Sequence, residues 1–184
     1  MAFKTILLPI RESSTADSLM ETAISMAVRN DGHLDLLYVQ NETEHMIPFG
    51  NMGLSENMRK TIIESANESA HKESEALRQR FVEICEKYNV PFQPRGTEYG
   101  KVSADFLVRR GQRDELIGQY GRLADLIIVP QPIKTTPPPS SFEAALRETG
   151  RPVLMTQRNS VLDIPGKRLA IGWNSSKEAA QAIS

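Results

Sequence analysis

Several features that define large classes of protein are scarce or missing in this 184-residue chain. Cys85 is its single cysteine, which excludes a disulfide framework, and its place in a helical pattern favours a small buried side chain over a nucleophile. No apolar run approaches the roughly 18 residues of a membrane span. Lysine and arginine total 22 against 23 acidic residues, so no global charge favours nucleic acid or an anionic membrane. A soluble, cytoplasmic globular protein is expected.

Recognisable catalytic and metal-binding motifs are also lacking. The chain has no G-x-S-x-G elbow, Walker loop or paired-carboxylate signature. Its three histidines have neither zinc-site spacing nor an evident carboxylate partner, so we expect them to be solvated: His33, His45 and His71. These absences predict a protein that is not an enzyme and holds no metal.

A small basic cluster is formed by Arg109, Arg110 and Arg113. Such clusters on a helix more often face solvent than RNA. We therefore interpret these arginines as a solvated helix face and expect no nucleic-acid partner.

A segment near the start of the chain is repeated near its end. Residues 4–14, KTILLPIRESS, are answered by residues 167–176, KRLAIGWNSS, and an alanine-rich helical pattern follows each copy. A true repeat predicts one complete domain over 1–158, a linker over 159–166 and the first strand and helix of a second domain over 167–184. We then expect a longer natural protein, because the second helix is unfinished at Ser184. The alternative is that two strand–helix starts look alike by chance.

Apolar periodicity predicts strands that alternate with helices. The predicted strands are 4–10, 34–39, 90–98, 124–129 and 152–156, and the predicted helices are 14–30, a long amphipathic helix ending near 88, a broken helix over 100–122 and a short one over 140–150. This alternation favours an α/β fold with a parallel sheet covered by helices on both faces. Pro91 and Pro94 cannot donate to a sheet, which places the third strand at an edge.

In a parallel sheet of this kind, ligands bind beyond the carboxyl ends of the strands, where the strand order reverses. The loops that follow the first, second and fourth predicted strands are therefore the expected binding pocket. The candidate residues in these loops are Arg11, Ser13, Val39, Pro130, Ser140 and Ser141.

The order and spacing of several segments resemble the universal stress protein family. These segments are Ile6-Leu7-Leu8-Pro9-Ile10 with its serine turn, the long polar second helix, Gly100 before the third helix, ADLIIV at 124–129 and GRPVLM at 150–155. The resemblance implies a Rossmann-like five-stranded parallel sheet in the order 3-2-1-4-5. It also implies that the restart at Lys167 is the second domain of a tandem member, and that ATP is a ligand to consider, since some members bind it.

The chain departs from the nucleotide-binding members of that family at two places. Arg11, and Asn174 in the second copy, stand where those members have an aspartate that contacts the nucleoside, and arginine offers no acceptor. The stretch 130–141 has no glycine and five prolines, where those members carry a glycine loop whose N–H groups approach phosphate. Ser140 is then expected to be a plain helix cap, and no cofactor is expected in this domain.

Three hypotheses follow from the resemblance and the departures. The first is a stress-response protein that acts by protein contacts, pairing along 152–156 as a homodimer or with its own second domain. The second is a nucleotide-binding regulator whose ATP occupies the second domain. The third, a nucleotide-processing enzyme, is weak because the strand-end loops offer no candidate acids, bases or nucleophiles.

Overall fold

The computed structural model describes residues 3–10, 16–40, 55–97, 100–131, 140–157, 161 and 176, apart from the side chain of Ser140. In this part of the chain, strands and helices alternate in the order β1 (Thr5–Ile10), α1 (Ala16–Asn30), β2 (His33–Gln40), α2 (Glu56–Lys87), β3 (Ser103–Arg110), α3 (Arg113–Gly121), β4 (Leu126–Pro130), α4 (Ser140–Glu148) and β5 (Val153–Thr156). None of these helices combines the length and hydropathy that crossing a membrane requires. The second copy of the repeated segment, residues 167–176, lies almost entirely outside the described residues.

The five strands form one parallel sheet in the order β3-β2-β1-β4-β5. This confirms the predicted α/β class and strand order. The chain moves outward from β1 to β2 and β3 on one side, and then crosses back to β4 and β5 on the other side. The strand order therefore reverses beside β1, where a ligand site is expected.

Helices cover both faces of the sheet, as predicted. Ile6 and Leu8 of β1 face a core shared with α1 and with the second half of α2. Leu7, between them, faces a second core shared with α3 and α4. Because successive side chains of a strand point to opposite faces, a nearly continuous apolar strand supplies both cores.

The prediction of a strand over 90–98 is wrong, and so is the first part of the broken helix predicted over 100–122; its second part is confirmed as α3. The third strand is Ser103–Arg110, within the region predicted to be helical, and it pairs with β2 along its whole length. The stretch 90–98 contributes an isolated bridge from Phe92 to Ala104 instead. Ala104, Leu107 and Val108 have helical spacing, but pairing with β2 decides their conformation. The edge position predicted for the third strand is correct, although different residues occupy it.

Helix α2 is confirmed, but only its second half packs on the sheet. Its buried side chains are Ser74, Leu77, Phe81, Ile84 and Cys85. Ile62, in the first half of the helix, is 45% exposed. Cys85 is buried as predicted, and burial raises the pKa of its thiol to about 12, so it stays protonated near neutral pH.

The Asp125 carboxylate, just before β4, holds the amino end of β1. Its Oδ2 accepts hydrogen bonds from the backbone N–H groups of Lys4 and Thr5, each at 2.9 Å, and from the Thr5 hydroxyl at 3.0 Å. Burial raises the pKa of Asp125, but the hydrogen bonds from Thr5 and Lys4 outweigh it and leave the pKa below its usual value. The ionised carboxylate is therefore the form that stabilises the fold.

We expect Asp125→Asn to lower the free energy of unfolding by about 1–3 kcal/mol at pH 7, because a charged acceptor of three hydrogen bonds is lost. A carboxyl group with a lowered folded pKa stabilises the protein above its unfolded pKa, and this stabilisation is lost as the pH falls through the folded pKa. Urea unfolding at pH 7 and near pH 3 measures this effect, and the difference in unfolding free energy between wild type and variant should be smaller near pH 3. Glu75→Gln, at an exposed position of α2, is the control. A difference that does not change with pH would contradict this role for Asp125.

Candidate functional site

The carboxyl ends of the strands meet at one edge of the sheet. The last residues of the strands in chain order are Ile10, Gln40, Arg110, Pro130 and Thr156. Val39 and Pro130, two of the predicted site residues, lie at this edge. Arg11 and Ser13 lie outside the described residues.

Val39 and the two serines of the predicted site lie in or beside regular secondary structure. Val39 is 3% exposed, and its side chain packs in the core shared with α3 and α4. Ser140 begins α4, as the predicted helix start requires, but its side chain lies outside the described atoms. Ser141 follows it in the first turn and is buried. The side chain of Val39 is therefore a core contact and does not face a ligand.

Arg113 lies across the predicted site. It is the first residue of α3, and its guanidinium donates to the carbonyl oxygens of Ile10 at 3.3 Å and Val39 at 3.4 Å. Ile10 is the last residue of β1, which borders the point where the strand order reverses, and Val39 is the last but one of the neighbouring β2. These bonds correct the interpretation of Arg113 as part of a solvated helix face.

The other two arginines of the cluster are also corrected, because they are the last two residues of β3 rather than part of a helix. Arg109 donates to the hydroxyl of Tyr120, and its guanidinium lies 5.4 Å from the centre of that ring. Arg110 donates to the Gln40 side chain at 3.2 Å. With Arg113, these residues bring three guanidinium groups to the carboxyl ends of β2 and β3.

The phenol of Tyr38 lies near this edge and is paired with a carboxylate. The hydroxyl of Tyr38 donates to the Glu73 carboxylate of α2 at 2.9 Å. Burial, together with the hydrogen bond and the charge of Glu73, raises the pKa of Tyr38 to about 12, while the charge of Arg113 opposes the rise. Tyr38 is therefore neutral at physiological pH. Of the described groups at this edge, the guanidinium groups carry the donors that an anion could use, because the Tyr38 hydroxyl has already donated its one hydrogen to Glu73.

A second polar cluster lies at the opposite edge, and the prediction of a solvated histidine is wrong for one residue in it. His33 is 6% exposed; its Nδ1 lies 2.8 Å from the Ser103 hydroxyl and its Nε2 lies 2.9 Å from Asp35 Oδ1. Arg95 binds the other oxygen of Asp35. His33 and Asp35 are two residues apart on β2 and so face the same side, a signal that the sequence contained.

The buried Asp35 is held in its charged form by this cluster. Burial alone raises the pKa of Asp35, but the hydrogen bonds and charges of His33 and Arg95 outweigh burial and lower it. Of the other two histidines, His71 is exposed and His45 lies outside the described residues. Within the described residues, no group of three or more histidine, cysteine or acidic side chains is arranged to hold a metal ion.

No protein-family model and no curated protein matches the chain, whereas solved structures do. UspA from Lactobacillus plantarum matches with a TM-score of 0.58 at 17% identity over 85% of this chain and 99% of that one. A universal stress protein from Archaeoglobus fulgidus matches with a TM-score of 0.61 at 15% identity over 97% of this chain and 59% of that one. A universal stress protein in complex with cAMP matches with a TM-score of 0.51 at 13% identity over 86% of this chain and 99% of that one. The chain has the universal stress protein fold.

We expect Arg113→Ala to lower the free energy of unfolding by about 1–3 kcal/mol, because two strand-end carbonyls lose a charged donor. Denaturant unfolding measures the change. Arg147→Ala, which removes the same charge from an exposed position of α4, should leave stability within about 0.5 kcal/mol of wild type. Equal effects from the two variants would show that Arg113 does not tie β1 to β2.

Proposed function

We propose that this chain, with its universal stress protein fold, is a cytoplasmic stress-response protein that acts through protein contacts and not through ATP bound in the domain over 1–158. The observation that carries the proposal is the composition of the link between β4 and α4. This link follows the strand end where the fold places a ligand, and the stretch 130–141 contains no glycine.

The chemistry of that link disfavours a phosphate cradle. Phosphate sites of this kind use successive backbone N–H groups that approach the ligand without intervening side chains, as glycine allows. Five prolines in the stretch 130–141 remove five of those donors. The domain thus keeps the sheet of the fold while changing the loop that would hold a nucleotide.

Strand β5 supports association as the mode of action. In the described part of the chain it pairs with β4 on one side, from Val153 opposite Ile127 to Thr156 opposite Pro130. Met155 of β5 is 48% exposed, and Leu146 of the neighbouring α4 is 53% exposed. An edge strand with exposed apolar side chains is suited to pairing with another copy of the strand. We infer that this edge forms a homodimer or pairs with a second domain.

A tandem architecture belongs to the same proposal, with a domain over 1–158, a linker over 159–166 and a second domain that starts at 167. Its support is the repeated sequence at 4–14 and 167–176. The match to the Archaeoglobus fulgidus protein adds support, because it covers 97% of this chain but 59% of that longer one.

Nucleotide binding is the second candidate function. Its support is that one structure with the same fold is a complex with cAMP. In this alternative, ATP occupies the second domain rather than the domain over 1–158. We propose no catalytic step in either case.

Titration of the longest natural chain with a fluorescent ATP analogue tests the nucleotide part of the proposal. We expect no micromolar binding that depends on residues of 1–158. Micromolar binding that is abolished by Arg11→Ala or Arg113→Ala but unchanged by Arg147→Ala would contradict the proposal. Binding that all three variants retain would support ATP in the second domain, and hydrolysis above background would revive the enzymatic hypothesis.

Introducing a charge on β5 tests the proposal that this strand forms a dimer. We expect the 184-residue chain to be dimeric and Met155→Glu to weaken the dimer at least about tenfold, since a carboxylate would be buried without a partner. Light scattering over a dilution series measures the dissociation constant. Val28→Glu, a matched change at a residue of α1 that is 40% exposed, should leave the dimer intact. A monomeric wild type, or a dimer that both variants preserve, would rule out this interface.

A further inference from the structure

Strand β3 is the outermost strand of the described sheet on the side away from β5, so one of its edges has no neighbouring strand. Within a strand, the N–H and C=O groups of one residue point to the same side, and successive residues alternate between the two sides. The N–H of Ser103 donates to the carbonyl of Gly32, and that of Gly111 donates to the carbonyl of Gln40, the last residue of β2. The backbone groups that point away from β2 therefore belong to the intervening even-numbered residues: Ala104, Phe106, Val108 and Arg110.

The segment that precedes β3 covers the first of these outward positions. The N–H of Ala104 donates to the carbonyl of Pro91 at 3.0 Å, and its carbonyl accepts from the N–H of Gln93 at 2.8 Å. This contact is an isolated bridge, and Arg95, two residues further on, binds Asp35 of β2 instead of following β3. The backbone cover of the β3 edge therefore ends at Ala104.

Beyond the bridge, two charged side chains of β3 bind outward backbone groups of their own neighbours. The Oδ1 atom of Asp105 accepts a hydrogen bond of 2.8 Å from the N–H of Phe106. The Nη1 atom of Arg109 donates to the carbonyl of Val108, also at 2.8 Å. Because one partner in each bond is charged, these bonds are stronger than those between two neutral backbone groups. A strand from another molecule would have to displace both charged groups before it could bond to Phe106 and Val108.

The outer edge of β5 has a different chemistry. The carbonyl of Thr156 accepts from the N–H of Gln131 on the β4 side, so the outward groups of this strand belong to Val153 and Met155. The sequence of β5 is VLMT, without a charged residue, whereas β3 contains an aspartate and two arginines. Charged side chains on an edge strand discourage pairing with another chain, and an uncharged apolar edge permits it.

We propose that Asp105 and Arg109 close the β3 edge to a second copy of this chain, so that association through sheet edges stops at the pairing of β5. If both edges were open, each copy could pair with one neighbour through β5 and with another through β3, and the assembly would grow into an open-ended chain. One closed edge limits the assembly to a dimer. This limit rests on the β5 interface of the proposed function, whereas the closure of β3 does not.

Light scattering over one dilution series tests the proposal on four chains: wild type, Asp105→Ala, Met155→Glu and the double variant. We expect a dimeric wild type and larger assemblies of Asp105→Ala, because the N–H of Phe106 is released. The double variant should self-associate at least about tenfold more tightly than Met155→Glu alone. If wild type is monomeric, the β5 interface fails, and a dimer of Asp105→Ala would still support the closure of β3.

Two further variants assign the added association to the β3 edge. Val108→Pro, made in the Asp105→Ala chain, removes an outward N–H without touching the bonds to β2, and it should reverse the association. Glu75→Ala removes the same charge from an exposed position of α2 and should keep the wild-type size. The proposal is overturned if Asp105→Ala, with an intact amide spectrum, keeps the wild-type size, or if Val108→Pro leaves the added association unchanged.

Amide hydrogen exchange tests the Asp105 contact in the wild-type chain itself. The N–H groups of Phe106 and Val108 both point outward, but a carboxylate binds the first of them. After correction for intrinsic rates, we expect the Phe106 amide to exchange at least about tenfold more slowly than the Val108 amide, and to lose this protection in Asp105→Ala. Equal exchange of the two amides in wild type would refute the proposed role of Asp105, whether or not the variant folds.

Discussion

The hydrogen bonding of β1 on both of its sides is the constraint on which the rest of the structure depends. β1 pairs in parallel with β2 through six residues and with β4 on its other side. Parallel neighbours require crossover connections, so each further strand brings a helix that must cover one face of the sheet. Both cores, the reversal of strand order and the two polar edges follow from the central place of this one apolar strand.

Strands and helices with a clear apolar pattern of their own could be predicted from the sequence. The apolar runs of β1, β2 and β4 and the stripes of α1 and α2 are local signals, so these elements were predicted to within a few residues. β3 was missed because its identity is not local. Ala104, Leu107 and Val108 are spaced as on a helix, and they become a strand by pairing with β2 over eight register positions. Such pairing depends on residues about 70 positions away in the chain.

The candidate site was predictable to a similar degree. Val39 and Pro130 were placed at the carboxyl edge because strand ends follow from strand patterns. Arg113 was not, since its role requires the ends of β1 and β2 to lie together beneath the start of α3. The spacing of His33 and Asp35 on β2 was a local signal, but Ser103 and Arg95, which complete the cluster, come from other parts of the chain. Sequence predicts well where a site lies, and less well which side chains converge on it.

The two halves of helix α2 differ in their stability against local unfolding. Its second half is anchored by Phe81 and other core residues, so it opens only when the sheet does. Its first half relies on the Ser55 cap and on exposed ion pairs such as Lys72 with Glu68, at 2.7 Å, each worth a few tenths of a kcal/mol. Amide hydrogens before Ser74 should therefore exchange with solvent while the remainder stays protected. The protein can unwind about five turns of this helix without disturbing its apolar core.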